Sequence, residues 1–195
     1  MTEAYKLRDI QRYSHLPKQY QNSVAEHCFM MTILADKLID MLNLDLDFRK
    51  IVRYINLHDW GEIDKTKDIP HHLKKDRSVI KAQEAEKAKE SLSKFGLAKD
   101  IADYTEYNKN NNEEAKFVNA LDKLECSLFY IKNGIDKIIA CKPEGYSDIN
   151  QLIADETARA EKVLADFPKL TSLWISMKER LREQAGQSDS INQTL

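Results

Sequence analysis

Four side chains that are costly to bury without a partner stand in line with apolar stripes: His27, His58, Asp59 and Asp122. His27 sits among Val24, Cys28, Met31, Ala35 and Leu38, which recur at intervals of three and four residues and so mark one buried face of a helix. His58 and Asp59 continue the stripe Phe48, Ile51, Val52, Ile55 at the same spacing. Asp122 lies within reach of the face formed by Phe117, Val118, Leu121, Leu124 and Cys126. Three helices would then deliver two imidazoles and two carboxylates to one point. A mixed nitrogen and oxygen set suits one borderline divalent ion, Mn, Fe, Co, Ni or Zn, better than the all-oxygen cages of Mg or Ca. Such an ion lowers the pKa of a coordinated water and neutralises charge on a phosphoryl oxygen. Glu62, four residues after His58 and three after Asp59, falls on the same helical face, placed to take a proton or steer that water. Hydrolysis is the chemistry this set invites.

The elements that must position these groups are helices. The 195 residues hold only 5 Gly and 4 Pro, and β-branched residues do not cluster in alternating runs, which disfavours sandwiches and barrels. Asn22-Ser23 forms a helix start, and the helix it opens runs to about Asn43; Asp45 or Asp47 opens the next, whose stripe carries on to Glu62. The stretch Asp64 to Lys75 loses periodicity around Asp68-Ile69-Pro70 and reads as a loop. Further helices are expected over Ser78 to Phe95, Leu97 to about Tyr107, Glu113 to about Asn133, with Gly134 closing it, Asp148 to Asp166 and Leu170 to about Gln184. The fold class expected is all-α, one helical domain over 1–186 with about seven to eight helices around a central metal site, followed by a frayed polar tail over 187–195.

Composition narrows the function classes. With 30 Lys+Arg against 32 Asp+Glu the formal net charge is −2, so the basic footprint of a nucleic-acid binder is not there. No apolar run approaches the roughly 20 residues a membrane span needs. The cysteines Cys28, Cys126 and Cys141 form no CxxC pair, which fits a reduced, cytoplasmic setting.

The ordered set His27, His58-Asp59 and Asp122 resembles the metal-binding signature of the HD-domain phosphohydrolase superfamily. The surrounding text Asn22-Ser23-Val24-Ala25-Glu26-His27, Leu57-His58-Asp59-Trp60-Gly61-Glu62, Asp68-Ile69-Pro70 and Glu114 through Glu125 is similar to one branch, the YfbR-type 5′-deoxynucleotidases and the similar phage dATP triphosphohydrolases (DatZ). The resemblance spans roughly Asp9 to Asn133. It implies that His27, His58, Asp59 and Asp122 hold a single metal ion and that Glu62 activates the attacking water. It implies that Arg12 clamps substrate phosphate, that Asp68 approaches the deoxyribose 3′-hydroxyl, and that Tyr13 and His15 face sugar and base. It also implies a homodimer.

Two positions depart from the branch pattern. Tyr13 stands where the bacterial deoxynucleotidases carry tryptophan, which keeps an aromatic wall but weakens the case for strict deoxy selectivity. Asn119 stands where lysine is expected; Lys74, Lys75, Lys116 and Lys123 are the candidates to restore that charge, and Lys74 is counted with the substrate-binding residues. His71-His72 follow a proline in a Lys-rich loop, so a surface or phosphate-side role is expected rather than a second metal. The expected activity is hydrolysis of a deoxynucleoside monophosphate to nucleoside and phosphate. The alternatives are a dNTP triphosphohydrolase releasing tripolyphosphate, hydrolysis of a signalling nucleotide and, more distantly, a helical binding module that retains the metal as a staple.

Overall fold

The computed structural model describes residues 5–14, 16–62, 77–94, 98–141 and 148–192. Among them the chain is all-α apart from one two-stranded antiparallel ladder, β1 (Gln11–Arg12) with β2 (Asn22–Ser23), in register Gln11 to Ser23 and Arg12 to Asn22. The helices are α1 (Lys6–Asp9), α2 (Val24–Met41), α3 (Phe48–His58), α4 (Arg77–Lys94), α5 (Ala98–Lys109), α6 (Glu113–Asn133), α7 (Ile135–Ala140), α8 (Ile149–Leu164) and α9 (Thr171–Asn192). Short 3-10 turns occupy Lys18–Tyr20, Trp60–Glu62 and Pro168–Leu170.

The chain forms two compact units, one of Met1–Ser14 with Gln21–Val118, the other of His15–Tyr20 with Asn119–Leu195. In the first unit α2 begins with a reciprocal cap: the Glu26 backbone N–H donates to Ser23 Oγ at 3.1 Å, and the Ser23 N–H donates to Glu26 Oε2 at 2.6 Å. Its stripe, Val24, His27, Cys28, Met31, Ala35 and Leu38, is buried. Helix α3 starts on an Asp47 cap and buries Ile51, Tyr54, Ile55 and Leu57. It is tied to α5 by Arg53, whose Nε donates to Asp103 at 2.5 Å and whose Nη2 donates to Asp100 at 2.7 Å. Lys50 adds ion pairs to Glu106 at 3.0 Å and Glu114 at 3.4 Å.

In the second unit α8 packs on α9, and Trp174, Phe167, Leu170, Ile135, Ile138, Leu121 and Leu124 are almost fully buried. The Gln184 side chain donates to the Ile131 carbonyl at 3.0 Å, fastening α9 to α6.

Several elements differ from the sequence expectation. The α3 stripe does not continue to Glu62: the α-helix ends at His58, Asp59 leaves it at φ −101° and ψ 14°, and Trp60–Glu62 is a 3-10 turn. Gly134 starts α7 at φ 80° instead of only closing α6. Helix α9 runs on to Asn192, through residues that composition reads as frayed.

Candidate metal centre

Two elements of the first unit bring His27, His58 and Asp59 together. His27 sits in the first turn of α2 and is wholly buried, while His58 ends α3 and Asp59 caps it. One donor atom from each of the three lies within 4.8 Å of the others, a spacing that a single ion spans; among the described residues this is the cluster of that kind. The imidazole rings are 5.3 Å apart, centroid to centroid, and tilted by 55°.

The backbone fixes which ring nitrogen of His58 faces the cluster. His58 Nδ1 lies 2.6 Å from the Ile55 carbonyl oxygen, so Nδ1–H donates there and the Nε2 lone pair is left for a cation. Nε2 is buried, is 3.2 Å from Asp59 Oδ2 and makes no hydrogen bond of acceptable geometry. A buried nitrogen aimed at a carboxylate and a second imidazole fits a divalent ion, and the mixed donor chemistry is that of a borderline metal.

The Asp59 carboxylate favours positive charge at His58, which a proton or a cation on Nε2 equally supplies. Burial opposes the charged form of Asp59, but the neighbouring His58, His27 and Arg12 outweigh it and hold the carboxyl far below the usual carboxylate range. Burial alone would lower the His58 pKa; the adjacent Asp59 carboxylate reverses this and raises it well above the ordinary value. Tyr107 of α5 presents an edge to His58 at 6.5 Å and packs on Tyr54 at 5.5 Å, which walls the ring on that side.

Arg12 ends β1, held in place by the β1–β2 ladder, and its charge reaches Asp59. Its guanidinium stacks 5.5 Å from the centre of the Tyr13 ring. Tyr13 adopts a left-handed backbone with φ 58°, a costly conformation for a bulky residue. Glu62 closes the 3-10 turn after Asp59, its N–H donating to the Asp59 carbonyl at 3.0 Å. The turn is anchored by Trp60, whose indole N–H donates to Ser91 Oγ of α4 at 3.2 Å. Glu62 thus follows His58 and Asp59 through a tight turn and not along a common helical face.

Asp122 belongs to the second unit, on α6, half-buried and paired with Lys123 Nζ at 2.5 Å. Cys126 Sγ lies 3.9 Å from its other oxygen. Asn119 is half-buried one turn earlier on the same helix. His15, Asp68, His71, His72, Lys74 and Lys75 lie outside the described residues. Sequence reasoning missed the Ile55 carbonyl, which fixes the His58 tautomer, because no side-chain pattern reports a backbone group. It also missed Tyr107, for which spacing along α5 offers no signal.

The HD domain family profile matches residues 4–163. The chain belongs to the HD-domain family. Among solved structures it is similar to the crystal structure of a predicted metal-dependent phosphohydrolase from Magnetospirillum magnetotacticum MS-1. That match has a TM-score of 0.64 and 21% identity, and covers 97% of this chain and 89% of the other. At that identity the likeness establishes the fold. No curated protein matches the sequence. Among the described residues of this HD-domain chain, no helix is long and apolar enough to cross a membrane.

Proposed function

We propose that this HD-domain protein is a metal-dependent phosphohydrolase acting on 2′-deoxynucleotides, cleaving a deoxynucleoside monophosphate to nucleoside and phosphate. The observation that carries the reading is the His27, His58 and Asp59 cluster, with its buried His58 Nε2 facing Asp59, in a chain of this family. Asp122 is the fourth ligand in this proposal, on the sequence motif. A divalent transition ion held there supplies an acidified water and charge neutralisation at the phosphoryl group.

The remaining roles fall to side chains. Arg12 binds the phosphate with its planar donors, and its electrostatic influence on Asp59 supports that role. Glu62 accepts the proton of the attacking water. Asp68 receives the sugar 3′-hydroxyl, Tyr13 and His15 face sugar and base, and Lys74 contributes positive charge on the phosphate side. The proposal includes a homodimeric, cytoplasmic enzyme that binds neither nucleic acid nor membrane.

The test is a panel assay of the purified protein with Mn, Co or Zn against all ribo- and deoxynucleoside mono- and triphosphates. Inorganic phosphate and tripolyphosphate are scored separately. Phosphate from deoxymonophosphates is the expected result. Tripolyphosphate from a purine dNTP would make the protein a triphosphohydrolase instead, and no product from any nucleotide would overturn the hydrolase reading.

A further inference from the structure

The Ile55 carbonyl oxygen meets two side chains, the His58 ring and the Cys28 thiol. His58 Nδ1–H donates to the Ile55 carbonyl at 2.6 Å, and the thiol of Cys28, from the first turn of α2, points at the same oxygen at 3.4 Å. Cys28 directly follows His27 in the chain, is buried, and is a free thiol that also interacts with the His58 ring. One carbonyl oxygen, with two lone pairs, therefore serves an imidazole and a thiol on different helices. The Cys28 contact joins α2 to α3, one residue after His27 and three residues before His58.

We propose that Cys28 is a positioning residue for the metal centre: by donating to the Ile55 carbonyl beside His58 Nδ1, it fixes the orientation of the His58 ring and keeps Nε2 directed at His27 and Asp59. The inference rests on the metal reading above. Outer-sphere partners of this kind set ring orientation and ligand basicity, and their loss costs about 10–100-fold in metal affinity. A hydroxyl donates to a carbonyl at least as well as a thiol, so serine preserves the function while alanine and valine remove it. Valine also keeps the cavity filled, which separates the lost hydrogen bond from lost packing.

The experiment is titration of the chelator-stripped full chain with Co2+, read by the d–d absorption bands and by the dissociation constant, for wild type, Cys28→Ser, Cys28→Val and Cys28→Ala. Expected are stoichiometric binding and wild-type bands for Cys28→Ser. For Cys28→Val and Cys28→Ala the affinity falls by about tenfold or more and the bands shift. If valine and alanine leave affinity and bands unchanged while wild type binds Co2+, the positioning role is wrong and the metal centre stands. Serine failing alongside alanine would overturn the hydrogen-bond argument. A sulfur-to-cobalt charge-transfer band in wild type, absent in Cys28→Ser, would make Cys28 a ligand and overturn it too. Wild type binding no Co2+ would take down the metal reading and this inference together.

Discussion

A Cβ built on Gly61 would lie 2.6 Å from the backbone carbonyl oxygen of Glu84 in α4, closer than van der Waals contact allows. The 3-10 turn carrying Glu62 therefore lies flush against a helix backbone, which cannot give way as the end of a flexible side chain would. Gly61→Ala forces the two apart. The expected cost is about 1–3 kcal/mol of stability, the usual penalty for overpacking, seen as a lower thermal midpoint. Turnover should fall beyond what the loss of folded protein explains, because Glu62 moves with the turn. Equal stability of wild type and Gly61→Ala would show that α4 and the turn are not held this closely in solution.

Glu62 is joined to Asp59 by a backbone hydrogen bond of 3.0 Å and is not among the clustered donor atoms. Its proposed task is proton acceptance, so Glu62→Ala should lower kcat by about 10²–10⁴-fold while bound metal per chain stays at the wild-type level. Metal analysis by mass spectrometry beside steady-state kinetics checks this. Loss of metal in the variant would reassign Glu62 to the ligand set.

An ion that binds only the folded chain stabilises it by mass action, about 2.7 kcal/mol at a hundred times its dissociation constant. Chelation should lower the thermal midpoint, and Mn, Co or Zn should restore it. In His58→Ala, which removes the buried Nε2, chelator and metal should both leave the midpoint unmoved. A variant that still responds to metal would place the ion elsewhere.

Much of this arrangement was legible in the sequence, for identifiable reasons. Ser23, Asp47 and Asp148 announce helix starts because a short polar side chain satisfies an orphan backbone N–H, and all three do so here. The stripes of α2 and α3 placed His27 and His58 on inward faces, where they lie. What periodicity could not show is the end of α3: the stripe fits a helix through Glu62, and the 3-10 turn that replaces it lies against Glu84, a contact between residues far apart in sequence. Elements of two to six residues, β1, β2, α1 and α7, are too short to carry a period and were not foreseen. The Cys28 and His58 convergence on one carbonyl depends on how two helices pack, which spacing within either helix does not encode.

The clamp on α3 carries a pH signature. Lys50 Nζ holds Glu106 at 3.0 Å and Glu114 at 3.4 Å, and the hydrogen bond from Lys50 pulls the Glu106 carboxyl below its ordinary value. Burial works against the Lys50 charge, but Glu106 and Glu114 outweigh it and raise its pKa. A depressed carboxylate stabilises the fold above its unfolded pKa and loses that contribution as pH falls through the folded one; a raised lysine stabilises below its unfolded pKa and loses it at higher pH. The clamp therefore contributes fully between the ordinary values of 4.5 for Glu and 10.5 for Lys. Lys50→Met should cost under about 1 kcal/mol near neutrality, since the pair is partly exposed, and the difference from wild type should shrink below pH 4.5. Urea unfolding of both proteins across that range checks it; a constant difference would mean that packing of the lysine stem, not its charge, is what α3 gains.

The first turn of α2 carries His27, and its geometry begins at Ser23. Ser23 Oγ accepts the Glu26 N–H at 3.1 Å and donates to Glu26 Oε2 at 2.8 Å, while the Ser23 N–H reaches the same carboxylate oxygen at 2.6 Å. The residue also pairs with Gln11 in the β ladder and is almost fully buried, so water cannot take over from a lost hydroxyl. Ser23→Ala leaves a helix-start N–H unsatisfied in a buried setting, and the expected loss is about 1–2 kcal/mol. Because His27 follows one turn later, the variant should also bind Co2+ more weakly than wild type. Ser23→Asp, which caps equally well but brings a carboxylate beside Glu26, should lose stability through like-charge repulsion and confirm that the neutral hydroxyl is what this position requires. Unfolding curves that place Ser23→Ala level with wild type would mean the cap is not what sets the start of α2.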